Sequence, residues 1–138
     1  MENRHMTAVS KSYMGSTGIS VSNLERSLDF YTRIIGLKKI FEVKLPHMEE
    51  AIMAFEGRPE TRIALMYHAD GSNPGLKSRM VKVSFYVPNP TEVMEAIRNE
   101  GLKIIREAVP VPEMRNAIVG LAYDHDGYLV EIVKARET

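Results

Sequence analysis

An internal repeat is the feature of this sequence that most restricts its fold. The segment GLKKI at 36–40 recurs as GLKII at 101–105. Upstream of each segment, Asn23 has a counterpart in Asn89 at nearly the same spacing. A period of roughly 65 residues is too long for a solenoid repeat and fits a duplicated supersecondary unit better. We therefore expect two copies of one small module in this chain of 138 residues.

Each copy shows the order strand, helix, strand, strand, strand. Asn23 and Asn89 are suitable helix N-caps, and Gly36 and Gly101 are suitable helix ends. Between these boundaries the apolar residues recur with helical spacing, and segments rich in β-forming residues follow. The predicted elements are a strand over 18–21, a helix over 24–35 and strands over 37–45, 49–57 and 61–68, then a strand over 81–87, a helix over 90–100 and strands over 102–109, 116–124 and 128–135.

This pattern predicts an α+β fold made of two tandem βαβββ modules. One module alone would leave a sheet face bare, so the two should share a core and form a curved mixed sheet that encloses a cleft. We expect a flexible arm over 1–13, the first module over 14–70, a linker over 71–77 and the second module over 78–135.

Composition excludes several classes of partner. Lysine plus arginine equals aspartate plus glutamate, 18 against 18, so nucleic acid is not expected to bind. No apolar run is long enough to cross a membrane and the first residues lack a signal peptide core, so we expect a cytoplasmic protein. The chain has no cysteine, which leaves only histidine and carboxylate as metal ligands.

Two segments carry a resemblance to a known family. VSNLERSLDFYTRIIGLK at 21–38 resembles the first helix of the vicinal-oxygen-chelate superfamily, which contains glyoxalases, bleomycin-resistance proteins and extradiol dioxygenases. DHDGYLVEI at 124–132 resembles the closing hairpin of that family. The resemblance extends over residues 14–134 and supports the paired βαβββ fold. It does not select a reaction, because one fold can host many activities.

The resemblance also places four metal-ligand positions, two in each module. They fall at Ser16 and Ala64 in the first module and at Lys82 and Glu131 in the second. A single carboxylate cannot hold a divalent ion that requires three or more protein donors, so we expect no metal and no other cofactor. Lys82 should instead form an ion pair with Glu131. The alternative is that Lys82 points outward, since neighbouring residues on a strand face opposite sides.

Several other residues are also candidates for the site. Tyr67, Tyr86 and Tyr123 could donate a hydrogen bond to a ligand oxygen, and Arg62 and Arg115 could bind a carboxylate or phosphate through two hydrogen bonds. Met53, Met66 and Met114 could line an adaptable apolar cleft, although core packing explains methionines equally well. His5, His47, His68 and His125 show no metal-site spacing, and the loop at 108–116 is a candidate lid.

Three functions are compatible with these residues. The first is a metal-independent lyase or isomerase that acts on a small organic molecule, with Glu131 as the base and Lys82 stabilising an oxyanion. The second is a non-catalytic protein that sequesters a hydrophobic compound, as bleomycin-resistance proteins do. The third is a metal-dependent lactoylglutathione lyase or dioxygenase with atypical ligands such as His47 and His68. Because the family commonly forms two-fold dimers, a homodimer is also expected.

Overall fold

The order of elements follows the duplicated pattern. The computed structural model describes residues 16–72 and 82–136, so the predicted arm and most of the predicted linker lie outside the described residues. The first module contains β1 (Ser16–Ser20), α1 (Leu24–Asp29) continued by a π-helical turn (Phe30–Ile34), β2 (Lys38–Lys44), β3 (Met48–Ala54) and β4 (Arg62–His68). The second contains β5 (Lys82–Val87), α2 (Pro90–Asn99), β6 (Ile104–Val111), a short 3₁₀ turn (Pro112–Met114), β7 (Ala117–Tyr123) and β8 (Leu129–Lys134).

The eight strands form two mixed sheets with the same topology. The order is β1-β4-β3-β2 in the first sheet and β5-β8-β7-β6 in the second. In both, the first strand lies at the edge and pairs in parallel with the last, whereas the remaining pairs are antiparallel. The predicted α+β class and the two βαβββ modules are therefore confirmed.

The helix boundaries are set by the predicted caps. The Asn23 side chain accepts a hydrogen bond from the third backbone N–H beyond it, at 3.0 Å. Asn89 accepts one from the Glu92 N–H and donates its amide to the Glu92 carboxylate at 2.9 Å. Gly36 and Gly101, with φ of +99° and +86°, end the helices in the left-handed conformation that favours glycine. In the described parts of the chain, no helix has the length and apolar character that a bilayer crossing requires.

The helix of the first module contains a π-helical turn, and its twin in the second module does not. The Ile35 N–H donates to the Phe30 carbonyl five residues back, at 3.2 Å. Between its cap and its terminal glycine, this helix has one residue more than α2. The wider turn therefore accommodates the extra residue.

The two modules share one core. The buried side chains of the first include Phe30, Tyr31 and Leu65, and those of the second include Phe85 and Ile97, all at most 5% exposed. They come from the helices and from the sheet faces that the helices cover. Because burial of apolar area is the main favourable term in folding, the modules should fold as one unit.

A buried polar contact also joins the modules at the turn between β7 and β8. The Tyr31 hydroxyl of the first module donates to Asp124 Oδ2 of the second at 2.6 Å. Burial, and after it the Asp124 charge, raise the pKa of Tyr31 well above its ordinary value, so the phenol keeps its proton. Asp124 Oδ1 accepts the backbone N–H groups of Asp126 and Tyr128 at 2.9 and 2.8 Å. Asp124 therefore shapes its own turn and holds the helix of the other module.

The charge state of Asp124 gives a pH-dependent expectation. Burial raises the pKa of this carboxyl, and hydrogen bonds from Tyr31, Tyr128 and Asp126 oppose the shift. A carboxyl whose pKa is higher in the folded than in the unfolded state contributes stability below its unfolded pKa, and that contribution is lost as the pH rises through the folded pKa. The difference in free energy of unfolding between the protein and its Asp124→Asn variant should therefore be largest below the ordinary value of 3.8 and decrease at higher pH.

Urea unfolding of both proteins across the acidic and neutral range measures this difference. The substitution also changes hydrogen bonds, which adds a difference that does not depend on pH. A stability difference that is constant over the whole range would contradict the assignment of the titration to Asp124.

Candidate functional site

Lys82 and Glu131 form an ion pair on the side of the second sheet that faces away from the core. The distance from Lys82 Nζ to Glu131 Oε1 is 3.5 Å, and the Glu131 side chain is only 12% exposed. The Ser84 hydroxyl donates to the same oxygen at 2.6 Å. Ser84 lies directly opposite Glu131 in the β5–β8 register, and Lys82 lies two residues away on the same side. The predicted ion pair between Lys82 and Glu131 is therefore present.

The register shows that the corresponding positions of the first module are related in the same way. Gly18 lies opposite Ala64 in the β1–β4 register, and Ser16 is two residues before Gly18. Ser16 and Ala64 thus occupy the places that Lys82 and Glu131 occupy in the second module. By strand register the four positions are therefore equivalent, two in each module.

The side chains at these four positions do not fit a divalent metal. They supply one hydroxyl, one methyl group, one ammonium group and one carboxylate, whereas a tetrahedral or octahedral site needs three or more neutral or anionic donors. Lys82 adds a positive charge at the place where a cation would bind. Within residues 16–72 and 82–136, no group of three or more histidine and acidic side chains is placed to hold a metal ion.

The histidines do not replace the missing ligands. His47 and His68 are close, since the His47 carbonyl accepts the N–H of the residue after His68, but His68 ends the strand that Arg62 begins. The two histidines therefore lie roughly 20 Å from the Arg62 end of β4, a distance of six residues of strand. The His125 ring lies 3.1 Å from a Glu100 carboxylate oxygen. It also contacts the Phe30 ring of the first module, so His125 takes part in the contact between the two modules. His5 lies outside the described residues.

A groove borders the ion pair. It has a volume of about 740 Å³ and lies between β5 and the first module. Lys82, Ser84 and the exposed ring of Tyr86 line it from β5, and Phe55 and Phe85 provide an aromatic wall. Three arginines also line it, of which Arg62 was a sequence candidate, whereas Arg58 and Arg136 were not. Alternation along β5 could have indicated Ser84, but the two missed arginines lie outside any strand.

The other predicted ligand-binding residues are divided between several surroundings. Met53 is fully buried in the shared core, so its assignment to the cleft is corrected, whereas Tyr67 is partly buried against that core. Met66 and Gly18 are in contact on the side of the first sheet that faces away from the core. Tyr123 lies on the same side as Glu131, and Arg115 is exposed at the end of the 3₁₀ turn.

The predicted lid is shorter than expected. Strand β6 continues through Val111, so the first part of the segment 108–116 is paired with β7 and only 112–116 forms a loop. Met114 lies in that loop and is 41% exposed. Two prolines restrict the chain but do not prevent pairing, because β6 is an edge strand.

Comparisons with known proteins agree with this fold. The chain is 29% identical over 124 residues to the lactoylglutathione lyase of Escherichia coli O157:H7, covering 88% of this chain and 91% of that protein. The crystal structure of glyoxalase I from Zea mays matches with a TM-score of 0.73 at 24% identity, over 91% of this chain and 45% of that chain. This chain therefore spans less than half of the maize protein.

A second similar structure is that of a binding protein. TnmS3, an antibiotic binding protein from Streptomyces sp. CB03234, matches with a TM-score of 0.69 at 16% identity, over 91% of this chain and 97% of that chain. At this identity the likeness shows the fold alone. The family model for the Glyoxalase/Bleomycin resistance protein/Dioxygenase superfamily matches residues 13–132, which is most of the chain. The protein therefore belongs to the glyoxalase/bleomycin resistance protein/dioxygenase superfamily.

Proposed function

We propose that this protein is a metal-independent lyase or isomerase that binds a small organic molecule beside Lys82 and Glu131. The observation that carries the proposal is the ion pair at a family metal-ligand position, with 3.5 Å between Lys82 Nζ and Glu131 Oε1. The Lys82 ammonium group supplies positive charge at that position without a bound metal ion. The curated relatives named lactoylglutathione lyase support the reaction class, and the side chains at the four positions argue against the metal-dependent version of it.

The two side chains suit a proton transfer next to a carbonyl group. Ser84 and Lys82 both contact Glu131 Oε1, and within the described residues no hydrogen-bond donor reaches Oε2. Oε2 accepts the proton of a substrate C–H bond, and the electron pair of that bond moves into an enolate. Lys82 stabilises the negative charge that develops on the enolate oxygen. Return of the proton to another carbon completes an isomerisation, whereas loss of a leaving group completes an elimination.

Exchange of substrate hydrogen for solvent deuterium tests this step without knowledge of the physiological substrate. We expect the protein to catalyse exchange at the α-carbon of one or more compounds in a panel of small ketones and keto acids, followed by proton NMR in heavy water. Glu131→Gln should lower that rate by about 10²- to 10⁴-fold, the usual contribution of a positioned base.

Glu113→Gln is the matched control, because Glu113 is exposed on the loop after β6 and is remote in the sheet from β5. Its exchange rate should equal that of the unmodified protein. Added chelator should leave the rate unchanged as well. Equal rates for Glu131→Gln and Glu113→Gln, or loss of exchange with chelator, would contradict the proposal.

Sequestration is the second candidate, and the aromatic lining of the groove favours it. Phe55 and Phe85 meet edge to face across the groove wall with ring centroids 6.3 Å apart, and Tyr86 is 61% exposed beside them. Such aromatic side chains bind flat organic molecules well. Under this proposal a compound binds in the groove but does not exchange its hydrogen for deuterium. The Glu131→Gln variant binds that compound as tightly as the unmodified protein does.

A further inference from the structure

The groove between β5 and the first module carries a local excess of positive charge. Its lining includes four cationic side chains, those of Arg58, Arg62, Lys82 and Arg136, and one acidic side chain, that of Glu56. The chain as a whole has a formal net charge of zero, so this excess is a property of the groove and not of the composition. A concave surface lined by one sign of charge attracts ligands of the opposite sign.

The three arginines of the groove have no carboxylate partner in the described parts of the chain. Two arginines on the helices do have carboxylate partners, since Arg33 contacts Asp29 at 2.7 Å and Arg98 contacts Glu95 at 2.8 Å. The nearby acids are already engaged: Glu131 contacts Lys82, and Glu56 lies 3.9 Å from Lys38. The guanidinium groups of the groove are therefore available to an anion from outside.

Arg62 provides the most specific observation. Its Nε is buried and has no hydrogen-bond partner among the described residues, although Arg62 lines the groove. A buried N–H without an acceptor is unfavourable, and such groups in native proteins usually have a water, ion or ligand as their partner. A guanidinium group presents several N–H donors in one plane, which matches the oxygens of a carboxylate or a phosphate.

The rest of the groove wall is apolar. Leu37, Phe55, Ile63, Val83 and Phe85 line it beside the cations. A ligand that complements both the cations and the apolar wall has an acidic head group and an apolar, preferably aromatic, body. The volume of about 740 Å³ is in the range that holds an organic ligand of this kind.

We infer that the groove binds an organic anion, with a carboxylate or phosphate group held by Arg62, Arg58 and Arg136 and an aromatic body against Phe55 and Phe85. This inference names the ligand class for the cleft of the proposed function, and it rests on that proposal only for turnover. Binding itself depends on charge and shape. A dianionic phosphate should bind more tightly than a carboxylate, because it offers more charge and more acceptor oxygens.

Calorimetric titration with three probes of the same body and different charge tests the inference. The probes are 2-naphthylmethanol, 2-naphthoate and 2-naphthyl phosphate, at low ionic strength and again with added sodium chloride. We expect affinity to increase in that order and the affinity of both anions to fall with salt. Equal affinity for the alcohol and the anions would overturn the inference, and the order of the two anions identifies the preferred head group.

Substitutions locate the site. Arg62→Gln should weaken binding of 2-naphthyl phosphate by about tenfold or more and leave binding of the alcohol unchanged. Arg136→Gln should weaken it in the same direction, and since Arg136 is exposed near the chain end this variant separates binding from folding. Arg115→Gln, an exposed arginine outside the groove, should behave like the unmodified protein. Equal affinities for the Arg62, Arg136 and Arg115 variants would overturn the assignment.

Two further measurements separate the possible failures. Glu131→Gln removes a negative charge beside Lys82 and should not weaken binding of 2-naphthyl phosphate. Binding by the unmodified protein without deuterium exchange contradicts the proposed reaction but not the ligand class. Exchange that these anions do not inhibit contradicts the ligand class but not the reaction. Sedimentation velocity with and without the phosphate tests whether a second copy of the chain covers the groove, and a dimer that persists at high phosphate concentration without binding the phosphate would overturn the inference.

Discussion

Replacing three side chains should create a site that binds about one zinc or nickel ion per chain. The substitutions are Ser16→His, Ala64→Glu and Lys82→His, and the retained Glu131 is the fourth ligand. The registers relate Ser16 to Ala64 as they relate Lys82 to Glu131, whose side chains approach to 3.5 Å, and the design tests whether the two pairs meet at one site. Each module then presents one imidazole and one carboxylate.

The expected effect on stability is large. At a metal concentration 1,000 times the dissociation constant, binding to the folded state alone adds about 4 kcal/mol to the free energy of unfolding. The unmodified protein should contain no stoichiometric metal after purification, and its melting temperature should not change with zinc, nickel, manganese or iron(II). Elemental analysis and melting curves measure both expectations.

Two controls isolate the cause. Lys82→His alone supplies only two strong donors, so it should bind metal weakly. Addition of Glu131→Gln to the triple variant should abolish the stabilisation. If the triple variant bound metal no better than Lys82→His, the two pairs of positions would not meet at one site. Stoichiometric metal in the unmodified protein would show that the ligands lie elsewhere and would contradict the metal-independent proposal.

The second large effect concerns the contact between the modules. Asp126→Ala should lower the free energy of unfolding by about 3 kcal/mol, which corresponds to roughly 10 °C in melting temperature for a domain of this size. The Asp126 side chain is 4% exposed and accepts hydrogen bonds from the Ser22 N–H at 3.2 Å, the Ser22 hydroxyl at 2.5 Å and the Ser27 hydroxyl at 3.4 Å. Removal of the carboxylate leaves these partly buried donors without an acceptor.

Asp70→Ala is the matched control for this substitution. Asp70 also accepts hydrogen bonds from a serine, at 2.7 and 3.0 Å, but it is exposed and its partner Ser72 lies in the same turn. No change in the unfolding transition is expected for it. Urea denaturation followed by circular dichroism compares the two variants, and a loss for Asp126→Ala no greater than that for Asp70→Ala would contradict a role in joining the modules.

The elements that local residues determine were predictable from the sequence. Asn23 and Asn89 cap their helices, and Gly36 and Gly101 end them, because these contacts involve neighbours in the chain. The orientation of Lys82 was predictable only through the family resemblance. Periodicity alone does not tell which side of a strand faces the core.

Met53 and the groove arginines show why the rest of the site could not be predicted. The β3 strand is apolar on both sides, with Ile52 and Met53 both buried, so alternation gives no direction for either. Arg58 and Arg136 lie far apart in the sequence and share the groove only because the modules pack together. The homodimer stays a prediction, since a contact between two copies depends on surfaces that no local pattern describes.

The π-helical turn has a consequence for how the two halves of this chain could diverge. An extra residue in a regular helix rotates every later side chain by about 100° and would turn the rest of an apolar stripe away from the core. Here the wide turn absorbs the insertion between Phe30 and Ile35, and both of these side chains remain buried. A duplicated gene can thus change the length of one copy without losing the fit between the copies.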